Sequence, residues 1–581
     1  MADVTAFDEE TDLGRLSARR DELRAKYRTW TPRTVSTFVD DAATEFGDRP
    51  LVITDDVTLS YSEIANWATQ LADGLHALGI RPGDHVGLLM ANYVEFLPLK
   101  FAIAKVGAVA VPMNFLYRQE ELAYVLAHSD CKMLITMTGF AGLDYLEMLD
   151  SIAPGWDAGG QLRLAGFPEL RRIVQFHTDG TSRAGVVDVQ ELNELGMQNP
   201  KAASAAGVAP GAVSDILYTS GTTGSPKGVL ITHDAALRTG YASALTRAFE
   251  KDRRILFSLP CYHMFGYVEG ILAVMMSGGA FIPQLKFSAE NYLKGIEKHR
   301  ATDILCVPTM TIAILEYPGL RDFDLSSLTA IMSASAPGPS WLWQQVKQEL
   351  GVSEIVTGYG MTETGGCMTL TLPEDSFHLT ASTVGRSKSA GAAGLPHRNG
   401  DLTEYRAMDP ATGEPLPAGE EGELASFGPT NMLGYWKRPD ETAQALRNGW
   451  VYSGDLGRVR HDGYIELTGR TKEIYKSGGE LVTPREIEDL ICEHPDVSQV
   501  YAVGIPDPRW GEIGGVYIVR APGATITEED VIALCKEKLA RFKVPKAVWF
   551  LDQEELPLTP TGKVQKFRLV QQASTRMEQQ S

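Results

Sequence analysis

The sequence predicts an α/β protein, with a large N-terminal domain followed by a small α+β unit at the C-terminus. Three observations carry that prediction. Helix-type and strand-type segments alternate between residues 60 and 136, a rhythm that builds a sheet with helices on its faces. Residues 397–440 combine Gly, Pro and short alternating runs, the pattern of a β-rich unit closing the large domain. The residues after 470 hold their own helix and strand patterns, which sets a boundary there. At 581 residues and 63.4 kDa the chain exceeds one ordinary domain and can bury a large core.

Taken in order, residues 8–30 are charge-laced and read as a surface helix. Ser60 and Glu63 have capping-box spacing for a helix running to about Leu78, Gly79 stops it, and an apolar strand follows at 86–90. The rhythm repeats as a helix at 95–105 before AVAVP at 108–112, and a helix at 120–128 before a strand at 132–136. Residues 153–214 show little periodicity and read as an irregular excursion. No internal repeat is evident. The runs GELASF and NMLGYW, at 422–427 and 431–436, read as strands. In the C-terminal unit Thr483, Pro484 and Glu486 offer N-cap, N1 proline and capping-box acid for a helix carrying Ile487, Leu490 and Ile491. Strand-like runs at 499–505 and 515–519 follow, then a helix opened by Thr527 and Asp530 with Val531, Leu534, Cys535 and Leu539 inward.

Composition narrows the function. The chain is 44% hydrophobic and 22% charged, an ordinary globular balance, and its net charge of −20 disfavours non-specific attraction to DNA or anionic membranes. The six cysteines form no CxxC or zinc-ribbon spacing and are expected reduced and mostly buried. Residues 1–10 are acidic without an apolar h-region, and the apolar stretch near 271–276 is far too short to span a bilayer. A cytoplasmic enzyme or binding protein is expected.

The strongest local signal is YTSGTTGSPKG at 218–228. Gly221, Gly224 and Gly228 let backbone amides turn toward an anion, Ser220, Thr222 and Thr223 add hydroxyls, and Lys227 adds a charge. The segment is not a Walker A motif, and on composition alone a flexible surface loop fits equally well. A second stretch, TGYGMTETGG at 357–366, fails the dinucleotide fingerprint because Glu363 stands where the third Gly belongs. Its residues suit stacking of a base on Tyr359, a phosphate hydrogen bond from Thr362 and Mg²⁺ on Glu363; alone, a tight turn explains it as well. Then come YSGDLG at 452–457, GRTKEI at 469–474, KSGGE at 476–480 and PLTPTGK at 557–563. Singly, Asp455 reads as a turn residue, Lys472 and Glu473 as a solvated pair, and Lys563 as a tail cation.

Together and in this order, the segments resemble the adenylate-forming superfamily of acyl- and aryl-CoA synthetases, peptide-synthetase adenylation domains and firefly-type luciferases. The resemblance runs from about residue 35 to 572, with weaker matches at 92–114 and 259–265. It implies a lead-in at 1–34, an N-terminal domain at 35–470 of two α/β subdomains plus a β-barrel, and a mobile α+β lid at 471–581 hinged near Lys472. It implies that ATP and a carboxylate give an acyl-adenylate and pyrophosphate, and that a thiol then displaces AMP. By resemblance Thr219, Ser220, Gly221, Thr222, Thr223, Gly224 and Lys227 cradle the β- and γ-phosphates. Gly358, Tyr359, Gly360 and Met361 line the nucleotide, with Tyr359 on adenine, Thr362 on the α-phosphate and Glu363 on Mg²⁺. Asp455 takes the ribose hydroxyls with help from Arg470, and Lys563 reaches the carboxylate and α-phosphate. His263 lies near the acyl carboxylate, though a packed core histidine is the plain alternative.

In the thiol step the lid is implied to turn about Lys472, withdraw Lys563 and present Lys476, Ser477, Gly478, Gly479 and Glu480 as a channel for CoA. The implied acyl pocket is His263, Met264, Gly266, Ser335, Ala336, Gly365 and Cys367, mostly small or apolar, which suits a bulky hydrophobic acid. Two departures stand out: Ala334 where Gly is common, and Leu481 where Asn is frequent. CoA is the expected acceptor because no carrier domain follows, RFKVP at 541–545 resembles CoA ligases, and the Lys472 to Thr483 spacing leaves no room for an acyl-AMP-ligase insertion. The expected function is an ATP-dependent carboxylic acid:CoA ligase for a medium- or long-chain fatty, alicyclic or aryl acid, using ATP, Mg²⁺ and CoA. The alternatives are another acceptor, either a carrier protein or a luciferase-like oxidation, and a non-catalytic nucleotide sensor. The expected partners are the acid, ATP and CoA, with no nucleic acid, no integral membrane segment and a homodimer left open.

Overall fold

A computed structural model describes residues 11–179, 181–201, 207–219, 226–335, 338, 340–470, 473–477, 480–507, 510–559 and 562–580. Ser60 accepts from the Glu63 backbone while Glu63 reaches back to the Ser60 N–H at 2.8 Å, so the helix Tyr61–Ala77 starts with a complete capping box. Such a cap stabilises by about 1 kcal/mol. That helix buries Ile64, Ala68, Leu71 and Leu75, and packs on Phe96–Lys105, a helix buried on every face. Lys100 of the latter forms a buried ion pair with Asp215 and so pins the strand Val213–Thr219.

Val213–Thr219 belongs to the first of two large sheets. In order its six strands are Lys227–Thr232, Val213–Thr219, Val109–Pro112, His85–Leu89, Cys131–Met137 and Arg172–Phe176. All run parallel except the edge strand Lys227–Thr232, which returns antiparallel along Val213–Thr219. The second sheet has seven strands, ordered Glu354–Val356, Ala330–Ser333, Asp303–Cys306, Arg254–Phe257, Ala280–Pro283, Pro50–Ile53 and Thr58–Ser60. A buried ionic chain braces it: Arg247 bonds Asp303 at 2.7 Å, and Arg253 bonds Glu354 at 2.7 Å. Arg19 of the N-terminal helix Thr11–Lys26 reaches the same Glu354 at 2.6 Å, tying the lead-in to the sheet.

The β-rich unit is an antiparallel sheet of Glu404–Met408, Glu421–Phe427, Trp450–Val459, Leu446–Arg447 and Ile465–Arg470, with a three-stranded sheet formed by Gly358–Met361, Gly366–Leu370 and Arg386–Ser387. The large core runs through Leu23 to Ile465, and separate apolar clusters begin at Tyr475 and Val503. The C-terminal clusters wrap a long hairpin, Val497–Asp507 against Gly511–Arg520, with the helices Pro484–Cys492, Glu528–Lys538 and Lys566–Gln580. Thr527 and Asp530 stand at the start of their helix as expected, and there they form a capping box.

Three expectations need correction. The excursion at 153–214 contains the edge strand Arg172–Phe176 and the helix Val189–Gln198, the latter opened by a capping box between Asp188 and Glu191. NMLGYW is no strand; it contributes one bridge, Tyr435 to Val229. Thr483 occupies the N-cap position with Pro484 next, but its side chain makes no cap bond, and Glu486 pairs instead with Lys543 at 2.6 Å.

Candidate active site

Thr219 and Lys227 are ladder partners, so the two described ends of the phosphate-loop candidate lie side by side on Val213–Thr219 and the edge strand Lys227–Thr232. Ser220, Gly221, Thr222, Thr223 and Gly224 lie outside the described residues. Both legs are anchored. Tyr218 hydrogen-bonds His128 at 2.7 Å, and Tyr124 donates to the Pro226 carbonyl at 3.1 Å.

The second Gly-rich stretch is also a hairpin, Gly358–Met361 against Gly366–Leu370, and the 3₁₀ turn Thr362–Thr364 at its tip carries Thr362 and Glu363. A Cβ on Gly360 would stand 2.0 Å from the Gly366 carbonyl, so glycine is required by strand crossing. Gly365 and Gly366 turn the chain at φ +96° and +118°. The stretch is therefore a tight turn, and that turn is what carries Thr362 and Glu363.

Glu363 is buried, and its Oε1 accepts from the Tyr435 hydroxyl at 2.9 Å. Burial raises its pKa, and the hydroxyl and the Lys227 charge act against that rise. Tyr359 donates to Asp455 Oδ2 at 2.6 Å, and Arg470 Nε meets Oδ1 at 2.8 Å, Asp455 and Arg470 being cross-strand partners. Asp455 is thereby fixed between a phenol and a guanidinium.

Lys563 comes to this cluster from the C-terminal unit. Thr559 and Lys563 close a short loop on each other, with the Thr559 N–H on the Lys563 carbonyl at 2.7 Å. A Cβ on the adjoining Gly562 would meet Val307 of the large domain at 2.6 Å. Water reaches the Lys563 side chain, yet the protein packed around it and the Arg470 charge push its pKa down to about 8, against the pull of Asp455 and Glu473. Lys566, one turn on, bridges Glu473 and Glu488 at 2.8 Å each.

His263 senses the same lysine: burial, then the Lys563 charge, push its pKa down to about 4. The Phe265 N–H donates to its Nδ1 at 3.2 Å, so the neutral ring carries its proton on Nε2. Met264 is buried, half-buried Cys367 faces the Gly358 backbone, and a Cβ on Gly266 would meet the Pro260 carbonyl at 2.6 Å. Ser335 holds φ +77°, a strained conformation for a residue with a side chain. Ala336 lies outside the described residues.

Lys476 and Ser477 sit on the strand Tyr475–Ser477, and Glu480 pairs opposite Ser477. Among the described residues neither a hydrogen bond nor an ion pair joins Lys476, Ser477 or Glu480 to Glu363, Asp455 or His263. Lys472, Gly478 and Gly479 lie outside the described residues.

Comparison decides the family. The AMP-binding enzyme family matches residues 39–436, and the AMP-binding enzyme C-terminal domain matches 486–563. The chain belongs to the AMP-binding enzyme family. It is 34% identical over 555 residues to a putative acyl-CoA synthetase, YngI, of Bacillus subtilis, covering 92% of this chain and 96% of the relative. A methyl-dioxo-octahydroindenyl-propanoyl:CoA ligase of Mycobacterium tuberculosis is 33% identical over 538 residues, covering 92% and 98%. The solved structure of the anthranilate CoA ligase AuaEII with anthranoyl-AMP superimposes with a TM-score of 0.80 at 26% identity, covering 94% and 98%.

Sequence reading missed Tyr435, Glu269 and Lys388. Glu269 and Lys388 form a fully buried ion pair at 2.9 Å, and Glu269 also accepts from the Cys367 N–H at 3.3 Å. Glu269 lies in an otherwise apolar run after His263, and a lone acid in such a run was the available signal.

Proposed function

We propose that the protein is an ATP-dependent carboxylic acid:CoA ligase, which makes an acyl-adenylate and pyrophosphate and passes the acyl group to CoA. The observation that carries this reading is Lys563, brought from the C-terminal unit into one electrostatic cluster with Asp455, Arg470 and His263. A carboxylate attacking an anionic phosphate needs a cation at the point of approach, and Lys563 supplies it.

In adenylation the loop 219–227 holds the β- and γ-phosphates, and Thr362 donates to the α-phosphate. Tyr359 lies under adenine, while Asp455, steadied by Arg470, accepts the ribose hydroxyls. No group of three or more His, Cys, Asp or Glu suited to a metal occurs among the described residues. One buried carboxylate, Glu363, suits Mg²⁺ arriving with ATP, since that ion is commonly held by one or two carboxylates plus phosphate oxygens. Bound there, Mg²⁺ neutralises phosphate charge. His263, neutral at working pH with its proton on Nε2, donates to the acid's carboxylate without adding charge.

For the thiol step we place the hinge at Lys472, between the core ending at Ile465 and the cluster beginning at Tyr475. Rotation there carries Lys563 out and brings Lys476, Ser477, Gly478, Gly479 and Glu480 to the adenylate as the CoA channel. The acid lies against Met264, Gly266, Ser335, Ala336, Gly365 and Cys367. Small and apolar residues there, and relatives named for alicyclic and aryl acids, support a hydrophobic acid, whether fatty, alicyclic or aryl.

Lys563→Ala tests the assignment. It is expected to abolish acid-dependent exchange of pyrophosphate into ATP while CoA still consumes supplied acyl-AMP; equal loss in both half-reactions contradicts the rotating lid. No helix among the described residues is long and apolar enough to cross a membrane. Cytoplasmic localisation and homodimerisation are proposals to be read by cell fractionation and by sedimentation.

A further inference from the structure

The segment around Tyr435 is stitched to both halves of the phosphate site by its backbone. Leu230 N–H bonds the Gly434 carbonyl at 3.0 Å, Leu433 N–H returns to Leu230 at 3.1 Å, and Trp436 N–H bonds Gly228 at 2.7 Å, so the segment runs along the edge strand that follows the phosphate loop. On its other side Met432 N–H bonds the Glu363 carbonyl at 2.8 Å, and Tyr435 N–H bonds Thr442 Oγ1 at 2.9 Å. The backbone position of Tyr435 is therefore set without help from the hydroxyl.

From that position the ring stands between two opposite charges. Lys227 Nζ lies 5.0 Å from its centroid, within reach of the π face. The hydroxyl at the far end of the same ring donates to Glu363 Oε1 at 2.9 Å. Among the described residues no ion pair joins Lys227 to Glu363, and Tyr435 is the only side chain hydrogen-bonded to that carboxylate. Removing the ring would open a path for the cation to pair with the buried carboxylate, and each would then be occupied by the other.

We propose that Tyr435 is a positioning residue of adenylation: its ring keeps Lys227 and Glu363 apart, and its hydroxyl aims Glu363, so that lysine is free for phosphate and carboxylate for the divalent cation. This rests on the roles given above to Lys227 and Glu363. It divides into two separable parts. Tyr435→Phe keeps the spacer and removes the aim, whereas Tyr435→Leu removes both and lets lysine close on the carboxylate.

The test is a titration of Mn²⁺ into the enzyme with ATP, read by electron paramagnetic resonance, on both variants and on Glu363→Gln. Adenylation kinetics, thioester formation from supplied acyl-AMP and melting temperature are measured beside it. Loss of one hydrogen bond to a charged group predicts Mn²⁺ binding weaker by about tenfold in Tyr435→Phe, with the KM for ATP little changed. Tyr435→Leu is expected to raise the KM for ATP as well. Both variants should retain the thioester step. Mn²⁺ affinity within twofold of the parent in Tyr435→Phe, while Glu363→Gln loses it, overturns the role of Tyr435 alone. Unchanged Mn²⁺ affinity in Glu363→Gln overturns the metal role of Glu363 and this inference with it.

Discussion

In the role proposed for it Lys563 acts as a cation, and its surroundings work against that state. The protein packed around it and the Arg470 charge bring its pKa down to about 8, so the side chain holds its proton below that pH and loses it above. The account predicts that kcat/KM for adenylation, which reports the free enzyme, falls as pH rises through about 8. Bound ATP adds negative charge beside the ammonium and raises its pKa, so the fall in kcat lies at higher pH. A pH profile of pyrophosphate exchange under both regimes checks this, and coincident limbs would remove Lys563 from contact with the phosphates. His263 contributes no step between pH 5 and 8, because burial and Lys563 hold it neutral down to about 4.

At the scale of elements, the segment after His263 is a π-helix, Phe265–Leu272, and within it sits buried Glu269 paired with Lys388. Such helices recur at functional sites because the wider turn re-aims side chains. Here Glu269 also accepts from the Cys367 N–H, tying the helix to the strand behind Gly365 and Gly366. Lys388→Met leaves that carboxylate buried without its cation, and is expected to destabilise the fold by about 3–5 kcal/mol. Adding Glu269→Gln should recover much of the loss in denaturant titration, since removing both charges also removes the desolvation cost.

Which elements could be read from sequence follows from where their determinants lie. The helix Tyr61–Ala77 announced itself because Ser60, Glu63 and Gly79 act within a few residues. The strand Arg172–Phe176 did not, because its place is set by pairing with Cys131–Met137 far back in the chain. Thr483 had the right neighbours for a cap, yet Lys543 drew Glu486 away. In the candidate site Glu363, Asp455 and Lys563 stand in ordered motifs, whereas Tyr435 falls in a run whose alternation reads as a strand. Its bond to Glu363 spans 72 positions, and no local pattern records such a contact.

The whole molecule is one large core with smaller clusters beyond Tyr475. If the proposed hinge divides these clusters into two bodies, they are expected to unfold in two calorimetric transitions. Ligands held by both bodies should bring those transitions together, as ATP with a non-hydrolysable acyl-adenylate mimic would show. A single transition unaffected by the mimic would mean that the C-terminal unit is no independent lid.

The central claim is that one site first makes an acyl-adenylate and then hands it to CoA. The most direct test is pyrophosphate release from Mg-ATP across a panel of fatty, alicyclic and aryl acids, each with and without CoA. The account predicts release that requires a hydrophobic acid and rises to many turnovers when CoA is present. A single-turnover burst indifferent to CoA would contradict the acceptor, and no release with any acid would contradict the ligase itself.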